Sequence, residues 1–100
     1  MSAFAAVAEP HRRRILDRLR EGECGVGELV DLLRLSQPGV SKHLRILREA
    51  RLVAVRADGK RRLYRLAPAP LSEVDAWIDN YRHYWNERLD ALEEHLEANP

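Results

Sequence analysis

The stretch SQPGVSKHLRILREAR (residues 36–51) combines the apolar spacing of a helix with a helix start that contains proline and glycine. Ser36 is a favourable N-cap. Pro38 and Gly39 fall in the first turn, where backbone N–H groups have no intrahelical partner and proline is tolerated. Three apolar residues then recur at i, i+4 and i+7: Val40, Leu44 and Leu47. The spacing predicts a helix over about residues 37–50 that packs one narrow face and offers the other to a partner.

Charge is distributed unevenly along the chain. The 100 residues have a net charge of +1, but residues 34–65 hold ten Lys and Arg against two acids, a net +8. The flanking segments are acidic, with five basic against six acidic residues over 1–33 and two against eight over 66–100. A basic strip confined to a third of a chain is the electrostatic footprint expected of a face that meets phosphates.

Length and composition exclude several classes of protein. With 100 residues, 45% of them hydrophobic, we expect a single domain over residues 1–100. No apolar run approaches the roughly 18 residues of a membrane span, and the N-terminus lacks the order of a signal peptide. We therefore expect a soluble, cytoplasmic protein with no membrane partner. The single Cys24 is expected to be a small apolar filler.

Two shorter helices precede the quoted stretch. Pro10 predicts a helix start, and Gly22 marks a stop after it. The next helix is expected to begin at Gly25 as its N-cap and to end near Arg34, with a buried stripe of four residues: Val26, Leu29, Val30 and Leu33. Together with residues 37–50, this order predicts a helix-turn-helix.

Residues 52–66 predict a β-hairpin. Their side chains alternate in character, and Asp58-Gly59 is a strong two-residue turn signal. With that pair as the turn, Val55 faces Arg62 and Val53 faces Tyr64. The tip of this ribbon is basic: Lys60, Arg61 and Arg62.

The C-terminal segment predicts one helix over about residues 72–98, roughly 40 Å long. Its apolar residues follow two lines, and two apolar faces require two partners. A single small core supplies one, so we expect a dimerisation helix that meets the same helix of a second copy. The predicted dimer interface contains six residues: Phe4, Ile78, Tyr81, Trp85, Leu89 and Leu92. The alternative is an ordinary amphipathic helix with scattered exposed aromatics.

These elements predict a mainly α protein with a small β-hairpin, a winged helix-turn-helix with a long C-terminal dimerisation helix. A helix-turn-helix lays its second helix in the major groove, with the first residues of that helix nearest the bases. The expected contacts on that helix are Gln37, Pro38, Ser41, Lys42 and Arg45. The basic wing tip is expected to reach an adjacent minor groove or its phosphates.

The chain also resembles the ArsR/SmtB family of dimeric bacterial transcriptional repressors, over roughly residues 4–66. The resemblance rests on VAEPHRRRILDRLREGE (7–23), VGELVDLLRLSQPGVSKHLRILREARLV (26–53) and DGKRRLYRL (58–66). It implies that Gln37, Ser41 and His43 contact DNA and that the last stretch closes the wing. Two residues depart from the family pattern. Glu9 stands where Asp is common, and Arg51 stands where Gly commonly ends the recognition helix.

Metal sensing is known in the family, and the family's ligand spacings are incomplete in this chain. One family site needs two cysteines spaced C-x-C, and Cys24 is followed by Gly25 and Val26. A second family site lies in the last helix and needs four ligands. The nearest register in this chain places Tyr81, His83, Glu94 and Glu97 at those four positions. One His and one Glu match the family pattern, and the other two ligands are missing. Zinc sites need three or four convergent ligands, so neither a metal site nor a cofactor is predicted. The chain looks like family members without metal ligands.

The sequence therefore predicts a homodimeric, sequence-specific DNA-binding regulator that represses transcription at an inverted-repeat operator. Its predicted partner is double-stranded DNA, and the prediction allows an unidentified small-molecule effector. Two alternatives remain open: a winged-helix protein-interaction module, and a metal-responsive repressor with an atypical site. An enzyme is not expected, because no Ser or Cys has a plausible base and no glycine-rich phosphate loop follows a strand.

Overall fold

The structure, a computed structural model, describes residues 2–98. The predicted domain of residues 1–100 thus includes positions 1, 99 and 100, which lie outside the described residues. The elements follow the order α1 (Ala3–Val7), α2 (Pro10–Leu19), β1 (Cys24–Gly25), α3 (Val26–Leu33), α4 (Gln37–Glu49), β2 (Val53–Asp58), β3 (Arg61–Leu66) and α5 (Leu71–Ala98). The predicted winged helix-turn-helix with a long C-terminal helix is confirmed, with one more strand than expected.

Helix α4 begins and packs as its sequence predicts. The Ser36 hydroxyl oxygen accepts a hydrogen bond from the Gly39 N–H at 3.2 Å and so caps the helix. A Cβ on Gly39 would stand 3.3 Å from that oxygen, so a larger residue there would require a small shift of the capping side chain. The predicted apolar stripe is fully buried in the core: Val40, Leu44 and Leu47.

Helix α4 ends in a left-handed turn without a glycine. Arg51 has φ +61°, its N–H bonds the carbonyl of Arg48, and the N–H of Leu52 bonds the carbonyl of Leu47. This pair of bonds defines a Schellman motif, closed by the apolar contact of two buried leucines. A left-handed conformation costs a non-glycine residue about 1 kcal/mol, so the departure at Arg51 carries the expected penalty while the turn keeps its form.

The hairpin forms, but its predicted register is wrong by two residues. Val55 pairs with Tyr64 and Val53 with Leu66, while Asp58 stays in the strand opposite Arg61. The loop is therefore residues 59–60. Gly59, at the first loop position, has φ +63°, as a type II′ turn requires. A shift of two residues preserves the face on which each side chain lies, so Tyr64 and Val53 still reach the core.

A third strand, β1, was not predicted. The sheet order is β1-β3-β2, with Cys24 opposite Tyr64 and Gly25 opposite Leu63 in antiparallel pairing. A Cβ on Gly25 would come within 3.0 Å of the Arg61 guanidinium. A strand of two residues is too short to show the alternation of apolar and polar side chains that predicts a strand, so the pairing of β1 depends on tertiary contact. It fixes the wing to the start of α3.

Cys24 is buried as expected, with 1% of its surface exposed, and burial raises the pKa of its thiol. We therefore expect it to react with a disulfide reagent about 10²-fold more slowly in the native protein than in the unfolded chain, because the thiolate forms only after local opening. Release of thionitrobenzoate with and without guanidinium chloride measures this ratio. Equal rates in the two conditions would show that Cys24 is accessible in the folded chain.

Helix α5 joins the core only at its beginning. Leu71 and Val74 pack against the core, and α1 braces the next turn through an edge-on contact of Phe4 with Trp77, 5.8 Å between ring centres. Every described side chain from Asp79 onward is exposed. Across residues 2–98, no helix is both long enough and apolar enough to cross a membrane.

Candidate nucleic-acid interface

The outer face of α4 presents the predicted contact residues. Their neighbours in the helix are buried in the core, and the cap at Ser36 fixes the first turn. Five of the predicted residues are exposed on that face: Gln37, Pro38, Ser41, Lys42 and Arg45. Amide, hydroxyl and cationic groups at the start of an exposed helix are suited to base edges and phosphates.

The wing brings its basic tip close to the start of α4. An open groove of about 550 Å³ separates the tip from the beginnings of α3 and α4. Gln37 lines it on the helix side, and the wing contributes Lys60, Arg61 and Arg62. Residues more than twenty positions apart in the chain thus form one polar surface, as the predicted interface requires.

Two acids in the same groove did not emerge from the sequence. Glu28 and Asp31 line it from α3. The Glu28 carboxylate accepts from the Arg61 guanidinium at 3.4 Å and from Arg18 at 3.2 Å. Both pairs are solvent-exposed and contribute roughly 0–1 kcal/mol. Glu28 therefore orients Arg61 without preventing its exchange to a phosphate. Because Glu28 and Arg61 come from different elements, no local pattern links them.

His43 occupies a different place from the other predicted contacts. Its side chain is 18% exposed and turns from α4 toward α2, where its ring stacks on that of His11 at 5.6 Å. Burial lowers the pKa of His43, and the neighbouring Arg12 acts in the same direction. The resemblance implies that His43 contacts DNA, and in this structure its ring lies between α4 and α2, less exposed than the other predicted contacts.

Glu9 organises the polar cluster into which His43 turns. One carboxylate oxygen accepts the Arg12 N–H at 2.9 Å and caps α2, while the other lies 2.8 Å from His11 Nδ1. Burial tends to raise the pKa of Glu9, but the hydrogen bonds with His11 and the Arg12 N–H outweigh it and leave the pKa below its ordinary value. Glu9 thus caps α2 at the position where Asp is common in the family.

The positions compared with the family's metal ligands do not converge. Cys24 is buried in β1, and His83 on α5 pairs with Glu87 at 3.0 Å on the helix surface. Among residues 2–98, one set of three ligand-type side chains does converge: Glu9, His11 and His43, with ligand atoms all within 4.8 Å of one another. Sequence spacing does not reveal this set, because the two histidines lie on different helices.

The apolar face of α5 is uncovered. The Tyr81 ring lies between those of Trp77 and Trp85, tilted against the first at 5.1 Å and stacked on the second at 6.3 Å between ring centres, so the aromatic side chains form a row. Ile78 is half-buried, while the remaining predicted interface residues are exposed: Phe4, Tyr81, Trp85, Leu89 and Leu92. An exposed apolar stripe of this length is characteristic of an interaction surface.

Known proteins resemble this chain over most of its length. A family profile described as the bacterial regulatory protein, arsR family, matches residues 9–55. The HTH-type transcriptional regulator Rv2034 of Mycobacterium tuberculosis is 38% identical over 96 residues, 96% of this chain and 87% of the relative. The transcriptional repressor SdpR of Bacillus subtilis is 31% identical over 80 residues, 80% and 89% of the two chains. A crystal structure described as a possible transcriptional regulator for arsenical resistance is 38% identical, with a TM-score of 0.75 over 95% and 96% of the chains. The likeness thus includes α5 as well as the wing.

Proposed function

We infer the function of this chain from its family, since it belongs to the arsR family of bacterial transcriptional regulators. We propose that it acts as a homodimer that represses transcription from an inverted-repeat operator. The chain is a DNA-binding regulator with a winged helix-turn-helix and is not an enzyme, as its relatives are regulators. The observation that carries the proposal is the exposed basic surface shared by α4 and the wing tip. A bacterial regulator meets its operator in the cytoplasm, where we place this one.

In this proposal α4 enters the major groove with its first two turns against the bases. Gln37 can bond adenine and Arg45 can bond guanine, while Ser41 and Lys42 meet base edges or the backbone. Lys60, Arg61 and Arg62 bind phosphates or the adjacent minor groove. The open groove between wing and helix leaves space for a DNA strand to pass.

The uncovered face of α5 supports the proposed homodimer. A second copy related by a two-fold axis would cover the aromatic row with the same row. The two recognition helices would then lie about 34–36 Å apart, one turn of DNA, and would read two half-sites of opposite orientation. The same symmetry makes the operator an inverted repeat.

Two arginine substitutions separate base reading from phosphate binding. Arg45→Ala is expected to weaken binding to the operator by roughly 1–3 kcal/mol and to relax the base preference at one position of each half-site. Arg61→Ala is expected to weaken binding to the operator and to a random duplex by the same factor, because it removes a phosphate contact. For the same reason, the affinity should depend less on the salt concentration. Fluorescence anisotropy on operator variants selected from genomic DNA measures both.

Arg82→Ala is the control, since Arg82 lies on α5 and is already paired with Asp75 and Asp79. It should bind every duplex as the wild type does. Equal losses on all sequences for Arg45→Ala and Arg61→Ala would refute the assignment of Arg45 to base reading.

The protein-interaction alternative predicts a different result. If the basic surface met an acidic protein instead of DNA, size-exclusion chromatography with a random duplex would leave the elution of the chain unchanged. The proposed function predicts co-elution at low salt, because non-specific DNA binding is electrostatic.

A further inference from the structure

We propose that Glu9, His11 and His43 form a binding site for one divalent transition-metal ion of the zinc class, at the junction of α2 with the recognition helix α4. Each side chain supplies one ligand atom, and the three atoms lie within 4.8 Å of one another. This inference concerns metal binding alone and does not depend on whether the chain binds DNA.

The distances in the cluster suit a tetrahedral ion. Ligands at 2.0–2.2 Å from zinc in tetrahedral geometry lie roughly 3.3 Å from one another. His11 Nδ1 is 2.8 Å from one Glu9 oxygen, and His43 Nδ1 is 3.8 Å from the other. These separations lie on either side of the required value. The two distances involve different oxygens of the Glu9 carboxylate, and the three ligand atoms lie within 4.8 Å of one another. Rotation of the carboxylate and of the imidazole rings would direct one donor from each residue at the ion.

The donor set selects the class of metal. Two imidazoles and one carboxylate match zinc, cobalt and nickel, whereas calcium and magnesium prefer oxygen ligands throughout. Three protein ligands leave a fourth position for water. The side chains of Glu9 and His11 are 29% and 40% exposed, so solvent reaches the site.

Two features oppose a cation here and limit its affinity. The Arg12 guanidinium lies 3.4 Å from His43 Nδ1, and the N-terminus of α2 carries a partial positive charge. Arg12 is held in place by the carbonyls of Ala5 and Ala6, so its charge remains near the site. The carboxylate of Glu9 offsets part of this repulsion. We therefore expect a dissociation constant on the order of micromolar, weaker than that of a structural zinc site.

The site would join two parts of the molecule that differ in role. His43 lies next to Lys42 on the recognition helix, whereas Glu9 and His11 belong to the start of α2. An ion bound to all three would link the recognition helix to α2 and would raise the melting temperature. At a metal concentration of 100 times Kd, the rise is expected to be roughly 10–20 °C for a domain of this size.

Cobalt(II) titration of the full chain tests the site, because a tetrahedral cobalt ion absorbs visible light strongly. One cobalt per chain is expected to bind and to be displaced by zinc. His11→Ala should reduce the affinity at least about tenfold, and Glu9→Gln should do the same. His83→Ala is the matched control, since His83 also pairs with a carboxylate but lies on α5. It should bind cobalt as the wild type does.

The His11 side chain is 40% exposed and lies outside the hydrophobic core. Far-UV circular dichroism of His11→Ala should therefore show an intact fold, and a loss of affinity would report on the site. The proposal is overturned if wild type shows no cobalt band at up to millimolar metal, or if His11→Ala and Glu9→Gln bind as tightly as wild type. Loss of the band in His83→Ala alone would place the ion on α5 and would equally overturn it.

Discussion

Raising the salt concentration from about 50 to 200 mM is expected to weaken operator binding by about 10³–10⁵-fold, as for a protein that neutralises 6–10 phosphates. Besides Arg45, which is assigned to base reading, each protomer exposes four cations on the proposed DNA face: Lys42, Lys60, Arg61 and Arg62. A dimer doubles this number, which reaches the required range. Since each neutralised phosphate releases condensed counterions, the loss of affinity follows from mass action on the salt.

Anisotropy titrations at several salt concentrations give the slope of log K against log salt. Lys60→Ala combined with Arg62→Ala should make the slope shallower by roughly one unit for each phosphate that is no longer neutralised, whereas Arg82→Ala should not change it. A change in affinity of less than tenfold across this range would contradict binding through the basic surface. It would favour a face other than α4 and the wing.

Trp85→Asp is expected to convert the protein to a monomer. Trp85 is 49% exposed in the protomer and continues the aromatic row of Trp77 and Tyr81. In a two-fold interface the substitution acts twice, since each copy gives up a large apolar side chain and buries a carboxylate. Truncation of an aromatic anchor costs about 2–4 kcal/mol of binding free energy, so the dissociation constant of the dimer should rise at least about 10²-fold. Operator affinity should fall with it, because a monomer reads one half-site.

Light scattering coupled to size-exclusion chromatography measures the mass directly. Asn86→Asp places the same new charge one residue away, on the polar side of α5, and should remain dimeric. Trp85→Asp should keep its helical content, since α5 packs on the core only through its first turns. A wild type that elutes as a monomer, or a Trp85→Asp variant that stays a dimer, would contradict the proposed assembly.

The helices were predictable from the sequence because their signals are local. The Ser36 cap, the tolerated Pro38 and the buried stripe of α4 all lie within one stretch, and each depends on neighbours a few positions away. The wing was less predictable. Asp58-Gly59 is a turn signal at either of two registers, and Gly59 takes a positive φ in both. The registers differ in whether Asp58 belongs to the loop or to the strand, and in the structure it pairs with Arg61.

The candidate site was predictable where exposure follows helix periodicity. Ser41, Lys42 and Arg45 lie opposite the buried stripe and are exposed for that reason. The place of His43 was not predictable, since its ring is positioned by Glu9 and His11 from another helix. Tertiary contacts of this kind leave no periodic signal, and the resemblance to a family supplied a role for His43 without its surroundings.

The short strand β1 has a consequence for the thermodynamics of DNA recognition. A hairpin attached only through its own two strands would sample many orientations, and binding would have to suppress them. Here β3 is paired on both edges, and Arg56 at the wing is bonded to Glu23 at 2.8 Å, before β1. The wing is therefore ordered before it meets a ligand. Less conformational entropy is lost on association, and more of the phosphate contact energy remains as affinity.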